Sequence, residues 1–351
     1  MITVKELAKL CDVSPSTVSN ILNGKNNMSK ETKDKVLKCI EETGYKPNYF
    51  AQGMRRHNNK TICIIAEEIC QFSTPTIVES IMNDCEEAGY RTVLINLAMY
   101  LKWDTLGISV GSNTLMEENT QSAFQEAQAI RADGVIYIAA HGRELDIVPK
   151  GYDIPVVFAY GTSKSNQYKS VIIDDKLSSK KAIDYLISKG HTKIGVVAGN
   201  KENFHTIERL KGFVESFKEQ GLLYDPEYVL YGNWERESGY EQAAALIKKN
   251  VTAIWCMNDI MAGGVYDYLR DNNIEIGADV SVFGFDNREI SGYMYPKLTT
   301  MSIMLERIGS IATEMIIREI EDSEYRRRIM EPVLVVCEFV ERDSVKPINV
   351  L

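Results

Sequence analysis

Apolar residues recur at helical spacing three times within the first 45 positions. Val4, Leu7 and Ala8 share one helical face, with Leu10 close to it. Asp12 then marks a turn. Ser14 is a suitable N-cap, and Pro15 suits a first helical position, where its missing N–H costs nothing. The helix from Pro15 to about Leu22 turns Val18, Ile21 and Leu22 inward and leaves Ser16, Thr17 and Asn20 outward, short and polar. A third helix starts behind Ser29, buries Val36, Leu37 and Ile40, and stops at Gly44. Two short helices joined by a tight turn and closed by a third predict a helix-turn-helix unit. Its second helix fits a major groove about 12 Å wide. The same spacing would also serve a three-helix bundle used for protein contact.

From Thr61 the pattern becomes near-continuous apolar runs alternating with amphipathic stretches. Strands are predicted over residues 62–66, 92–96, 134–139, 156–159, 171–173, 194–198, 228–231, 253–257 and 280–285. Helices are predicted over 76–88, 178–189, 206–220, 237–248 and 261–272. Repeated βαβ units with fully apolar strands mean parallel sheets covered on both faces, and this length holds two of them. Ligands of such sheets bind beyond the carboxyl ends of the strands. The segment 101–119 is a longer polar connection than this pattern needs, and it carries Trp103.

Charge sharpens the division. The net charge is −9, yet residues 1–60 hold 11 of the 40 Lys and Arg and only 6 of the 49 Asp and Glu. A basic end on an acidic body is the asymmetry of a DNA reader joined to a part that should not stick to DNA. The seven cysteines are scattered without a CxxC pair, which suits reduced thiols better than a disulfide frame or a zinc site. The amino end has charges where a signal peptide needs an apolar stretch, and no apolar run is long enough for a membrane helix. A cytoplasmic location is expected. No phosphate-binding loop, dinucleotide fingerprint, GxSxG or HExxH occurs, and the acid pairs Glu67-Glu68 and Asp174-Asp175 point to opposite sides of a strand. Neither catalysis, a cofactor nor a metal site is expected.

The stretch ITVKELAKLCDVSPSTVSNILNG, followed by MSKETKDKVLKCIEETGYKPNYFAQGM, resembles the DNA-binding segment of the lactose/galactose-repressor (LacI/GalR) family almost position by position. The resemblance implies a lambda-repressor-like head in which Pro15, Ser16 and Asn20 read bases. Thr3, Ser14, Thr17, Asn23, Tyr45, Asn48 and Ala51 are implied as further DNA contacts. Asn20 departs from the family's usual arginine, and Asn favours adenine over guanine. Asp12 stands where a turn glycine is usual; Asp enters the left-handed region more readily than most residues. After Pro47 the resemblance implies a short hinge helix that orders on DNA beside its dimer mate, wedging Met54 between base steps in the minor groove. Leucine is the usual wedge. Gly53 weakens this helix further, and Arg55 is placed at phosphates. A plain linker with a chance Met is the alternative reading of the residues.

The remainder is similar to the same family through DGVIYI, IPVVFAYG, SVIIDD, GHTKIGVVAGN, ERLKGF, ESGYEQA, MND at 257–259, VSVFGFDN and PKLTTM. This implies a periplasmic-binding-protein-like sensor: two lobes, three crossovers, and a ligand between them. The ligand positions it implies are Phe72, Asp174, His205, Arg209, Trp234, Asn258 and Asp286. Arg209 would offer its fork to hydroxyls or a carboxylate, or else pair with Glu208. Trp234 would stack on a sugar ring or simply pack. Asp259 is expected to cap the next helix. The clearest departure is 67–75: where the family commonly reads Asn-Pro-Phe-Phe, this chain has Glu67-Glu68-Ile69-Cys70-Gln71-Phe72-Ser73-Thr74-Pro75.

The expected organisation is a helix-turn-helix domain over 1–46, a hinge over 47–60, and a two-lobed sensor over 61–342. The first lobe is expected at about 61–160 with 291–320, and the second at about 161–290 with 321–342. The implied function is a homodimeric repressor of a near-palindromic double-stranded operator, controlled by a small-molecule effector, a sugar or glycoside, with no membrane partner. A sugar-binding protein without DNA activity and a sugar-processing enzyme are the rival readings.

Overall fold

Sequence and topology meet in a computed structural model that describes residues 2–22, 28–45, 59–99, 113–164, 166–223 and 225–348. The chain forms two compact units, Met1–Asn59 and Lys60–Leu351.

The first unit contains α1 (Val4–Leu10), α2 (Pro15–Leu22) and α3 (Lys30–Thr43). Thr3 starts α1 with a capping box: its hydroxyl accepts the Glu6 N–H at 3.3 Å, and the Glu6 carboxylate accepts the Thr3 N–H at 2.8 Å. Ser14 caps α2 through the Thr17 N–H at 3.0 Å, and Ser29 caps α3 through the Thr32 N–H at 3.2 Å. The turn between α1 and α2 holds Asp12 at φ +50°, and α3 ends on Gly44 at φ +60°. Leu7, Ala8, Cys11, Val18, Ile21, Val36 and Tyr45 make the core. Leu37, expected inside, is exposed. Val36 and Ile40 lie one turn apart on the inner face, and Leu37 is rotated about 100° from Val36 and about 60° from Ile40.

The sensor strands are β1 (Thr61–Ala66), β2 (Arg91–Asn96), β3 (Gly134–Ile138), β4 (Glu144–Leu145), β5 (Val156–Ala159), β6 (Thr162–Ser163) and β7 (Lys169–Ile173). They continue as β8 (Ile194–Ala198), β9 (Val229–Tyr231), β10 (Ala253–Cys256), β11 (Ser281–Phe283), β12 (Thr300–Ser302), β13 (Val333–Val335) and β14 (Glu338–Val340). Its helices are α4 (Thr74–Glu87), α5 (Asn113–Ala129), α6 (Asp175–Ser188), α7 (Phe204–Glu219), α8 (Arg236–Ile247), α9 (Asp259–Asp271), α10 (Ile290–Tyr293), α11 (Leu305–Glu321) and α12 (Ser323–Arg327).

One sheet runs β13-β7-β5-β3-β1-β2 and the other β11-β10-β8-β9, with every pairing parallel. Strand residues alternate between two cores. Ile62, Ile64, Ile136 and Ile138 join Ile77 of α4 and Ile308 of α11, while Cys63, Ile65, Val135 and Tyr137 meet Phe124 of α5. Among the described residues no helix is long and apolar enough to cross a membrane.

The lobe boundaries differ from those read in the sequence. β7, expected in the second lobe, is the second strand of the six-stranded sheet, and β13 is its edge. Residues 299–302, expected in the first lobe, bond instead to the second: Gly284 N–H reaches Thr299 O at 2.9 Å, and Asp286 N–H reaches Met301 O at 2.9 Å. The chain therefore crosses between lobes after β7, after β12 and after β13. Apolar runs show that a strand is buried but carry no mark of which sheet it joins.

Lys169 of β7 and Glu319 of α11 form an ion pair of 2.7 Å with both side chains buried. It ties the covering helix to the sheet.

Candidate functional site

A cavity of about 700 Å³ lies between the lobes, beyond the carboxyl ends of their strands. Phe72, His141 and Tyr160 line it from the first lobe; Asn203, His205, Arg209, Trp234, Asn258, Asp286 and Arg288 line it from the second.

The centre of the site is built on Asp175, which is fully buried at the start of α6. Its carboxylate accepts Arg209 Nε at 2.7 Å and His205 Nδ1 at 2.7 Å. His205 and Arg209 are one turn apart on α7, so a single helix face delivers both. Burial acts to raise the Asp175 carboxyl, but the Arg209 charge and the hydrogen bonds of His205 and Arg209 hold it below its ordinary value. The guanidinium lies over the Phe285 ring, 3.6 Å from its centroid, and donates to the Met257 carbonyl. Its Nη1 is 3.8 Å from the Asp286 carboxylate. Burial drives Asp286 well above the usual carboxylate range, against the opposing pull of Arg209. The Arg209 guanidinium presents donors and the Asp286 carboxyl an acceptor to a ligand's hydroxyls.

The cleft's two walls also touch. Gly142, in the loop after β3, donates its N–H to His205 Nε2 at 2.9 Å. Nε2 therefore accepts, and Nδ1–H is the donor to Asp175. A Cβ at Gly142 would stand 2.6 Å from the imidazole, so the approach requires glycine. Arg288 sits over the Phe72 ring at 4.9 Å. His141, facing the same space, is pushed down to about 4 by burial, with the charge of Arg143 adding to it; it is neutral near pH 7.

Six of the seven ligand positions read from the sequence surround this cavity: Phe72, His205, Arg209, Trp234, Asn258 and Asp286. Asp174 does not. Its side chain accepts the Leu177 N–H at 2.9 Å and caps α6. Asp174 and Asp175 sit at a strand-to-helix junction and face different ways, so the neighbour holds the cleft. Asp174→Ala is expected to cost about 1 kcal/mol of sensor stability while leaving ligand affinity unchanged. Paired thermal unfolding and ligand titration would check it.

A second assignment is exchanged between neighbours. Asn258, not Asp259, caps α9: its Oδ1 accepts the Met261 N–H at 2.7 Å, and its Nδ2 donates to the Trp234 carbonyl at 2.9 Å. Asp259 points inward and accepts Thr300 Oγ1 at 2.7 Å and the Arg288 N–H at 2.7 Å. Burial pushes Asp259 up to about 7 from an ordinary 3.8. Its folded form thus holds a proton that the unfolded chain releases, so stability should fall as pH rises from about 4 to about 7. Asp259→Asn should flatten that part of the curve, as melting temperature against pH would show.

Trp234 takes φ +74°, and its indole occupies the space above Gly199, where a Cβ would come within 2.0 Å of the ring. The acidic departure Glu67 turns away from the cavity. It is buried at the end of β1, accepting Tyr137 Oη at 2.8 Å and the Ala140 N–H at 2.8 Å, and it pairs with Arg143. It thereby fixes the loop that carries His141 and Gly142. Sequence reading missed His141, Tyr160, Asn203 and Arg288. They stand in loops or at strand ends, where no periodicity marks them, although Tyr160 and Arg288 lie within or beside quoted motifs.

In the head, Pro15 and Ser16 are exposed on the first turn of α2, and Thr17 and Asn20 are half-buried on the same helix. Ser14 Oγ lies 2.6 Å from Ser16 Oγ and 2.8 Å from Thr17 Oγ1. This chain of hydroxyls fixes the helix start. Thr3 is exposed, and Tyr45 is buried in the head's core rather than displayed. Asn23, Asn48, Ala51, Met54 and Arg55 lie outside the described residues, as does Trp103.

A helix-turn-helix head with an open polar second helix, joined to a two-lobed sensor with a polar cleft, defines a ligand-responsive DNA-binding regulator. Residues 3–48 match the model of bacterial regulatory proteins of the lacI family, and residues 183–345 match a periplasmic binding protein-like domain. The chain is 30% identical over 355 residues to the HTH-type transcriptional repressor PurR of Vibrio vulnificus, covering 99% of this chain and 100% of that one. It is 30% identical to PurR of Vibrio cholerae over 354 residues, 99% of each. A Lac repressor dimer bound to operator and the anti-inducer ONPF shares its fold with a TM-score of 0.80 at 21% identity, over 98% of this chain and 99% of that one. The chain belongs to the LacI family of bacterial regulatory proteins. It is a DNA-binding transcription regulator with a ligand-binding sensor, and not an enzyme.

Proposed function

We propose that the protein is a cytoplasmic repressor that binds a near-palindromic operator as a homodimer, with its affinity set by a sugar or glycoside held between the sensor lobes. The observation that carries the ligand reading is the cavity of about 700 Å³ whose lining brings Arg209, Asp286 and the Trp234 indole together. A guanidinium and a carboxyl hold adjacent hydroxyls, and Trp234 offers a flat face to a ring's C–H surface. Repression is supported by the Vibrio relatives, both named as transcriptional repressors. Dimerisation is supported by two-fold symmetry, which paired half-sites require.

In this reading Pro15, Ser16 and Asn20 face base edges, and Thr3, Ser14 and Thr17 make further DNA contacts. The hinge over 47–60 places Met54 between base steps. Closure of the lobes around the ligand alters the spacing of the two hinges, and it does so only to the extent that the ligand prefers one state.

A flat nitrogen heterocycle is the second reading, favoured by the rings of Phe72, His141, Tyr160 and Trp234 on both walls. A thermal-shift screen of the protein against mono- and disaccharides and against nucleobases separates the two. A true ligand at 100 times its Kd stabilises by about 2.7 kcal/mol. Stabilisation by nucleobases alone would overturn the sugar assignment.

A further inference from the structure

We propose that the cavity between the lobes takes an anionic effector, a phosphate monoester, whose phosphate is held by Arg288. The inference rests on the reading that this cavity holds the effector, and it adds a charge to that ligand.

Arg288 is half-buried in the cavity lining and lies over the Phe72 ring of the other lobe, 4.9 Å from its centroid. Among the described residues its guanidinium has no hydrogen-bond or ion-pair partner. Arg209 differs: its guanidinium is committed to Asp175 and to the Met257 carbonyl. Of the carboxylates that line the cavity, Asp286 stands 3.8 Å from Arg209, and Glu235 is exposed. Asp286 feels the charge of Arg288 but is not paired with it.

The backbone holds Arg288 in place under strain. Asp286 takes φ +104°, outside even the left-handed helical region, and Asn287 follows at φ +55°. This turn is braced from three sides. Asn287 donates to Ser302 Oγ at 3.2 Å and accepts Arg342 Nη2 at 2.7 Å. The Arg288 N–H is bound by the buried Asp259 at 2.7 Å. Strain of this kind persists where the surroundings over-determine it, and it clusters at ligand clamps. Here it delivers an unpaired cation to the cavity.

Two amides add donors. Asn203 turns Oδ1 to the His205 N–H at 2.9 Å, and Asn233 turns Oδ1 to the Glu235 N–H at 3.0 Å. Each is left with an Nδ2 group that has no partner among the described residues, and both residues line the cavity. Arg288, Asn203 and Asn233 thus supply donors only. Hydroxyls need acceptors as well, whereas the three terminal oxygens of a phosphate monoester accept alone. A guanidinium fork matches two of those oxygens at once.

The full-length protein is titrated by calorimetry and thermal shift at matched ionic strength. The probes are glucose against glucose-6-phosphate, inosine against inosine monophosphate, glucuronate, and inorganic phosphate against chloride. In at least one pair the phosphorylated member should bind tenfold or more tightly than its parent. Arg288→Gln should remove that preference, and Arg288→Lys, which keeps the charge without the fork, should restore only part of it. Inorganic phosphate should raise the melting temperature of the wild-type protein more than that of Arg288→Gln. Equal binding within every pair overturns the proposal, as does a preference retained in folded Arg288→Gln. Glucuronate binding as tightly as glucose-6-phosphate overturns the choice of phosphate. If no organic probe binds, inorganic phosphate decides alone, and an equal rise in both proteins, or none, overturns the proposal. Arg209→Ala separates this inference from the reading beneath it. If that variant still binds both members of a pair, the effector lies elsewhere; if it weakens two members that wild type binds alike, only the anion fails.

Discussion

Replacing Arg209 with Ala is expected to abolish the ligand response, weakening effector binding by about 100-fold or more. The guanidinium touches Asp175, the Met257 carbonyl, the Phe285 ring and the neighbourhood of Asp286 together. Removing it deletes a ligand donor and also leaves Asp175 buried with only His205 as a partner. Truncating one member of a buried charged pair costs about 3–5 kcal/mol of stability; separately, losing about 2.7 kcal/mol of contacts to the ligand corresponds to 100-fold in affinity. Arg209→Lys separates the two effects: it keeps the charge beside Asp175 but loses the planar fork. The lysine variant should approach normal thermal stability and still respond poorly to ligand. Operator binding titrated with effector is the measurement, and a full response from Arg209→Ala would sink the cleft assignment.

The largest loss of stability is expected from Glu319→Ala. Lys169 Nζ lies 2.7 Å from that carboxylate and 4.6 Å from the Tyr325 ring centroid, and its side chain is 3% exposed. Without Glu319 an ammonium is left between the sheet and α11, at a cost of about 3–5 kcal/mol. Proteins are stable by only about 5–15 kcal/mol, so the urea midpoint should fall sharply. Replacing both partners, Lys169→Met with Glu319→Leu, should recover most of the loss, because no charge is stranded. A change below about 1 kcal/mol in the single variant would show that water reaches the pair.

The head was readable because its signals are local. Ser14 caps, Pro15 begins and Gly44 ends helices through interactions within a few residues, and each does so in the structure. The alternation of strands and helices in the sensor was legible for the same reason. Partnership between distant segments was not. β7 reads as a buried strand whichever sheet it enters, and β13 is three residues long, too short for a period to show. The exchanged roles of Asp174 with Asp175 and of Asn258 with Asp259 have a related origin. At a strand-to-helix junction the backbone turns sharply, and which of two adjacent polar residues faces inward depends on the turn. Glu67 read only as a departure from the family pattern because its partners, Tyr137 and Arg143, lie about 70 residues away. The cleft's first-lobe wall was therefore only partly visible, through Phe72.

The interleaving of the lobes has a consequence for how the protein is made. The first five strands of the six-stranded sheet to leave the ribosome end at Ile173, but the helix that covers one face begins at Leu305, and the edge strand begins at Val333. At ordinary elongation rates of roughly 5–20 residues per second, the intervening 130 or so residues take roughly 7 to 26 s. During that time Ile136, Ile138 and Val157 lack part of their cover, on a nascent chain among many others. Expression at lower temperature, or with more holding chaperone, should therefore raise the soluble yield without changing the stability of the finished molecule.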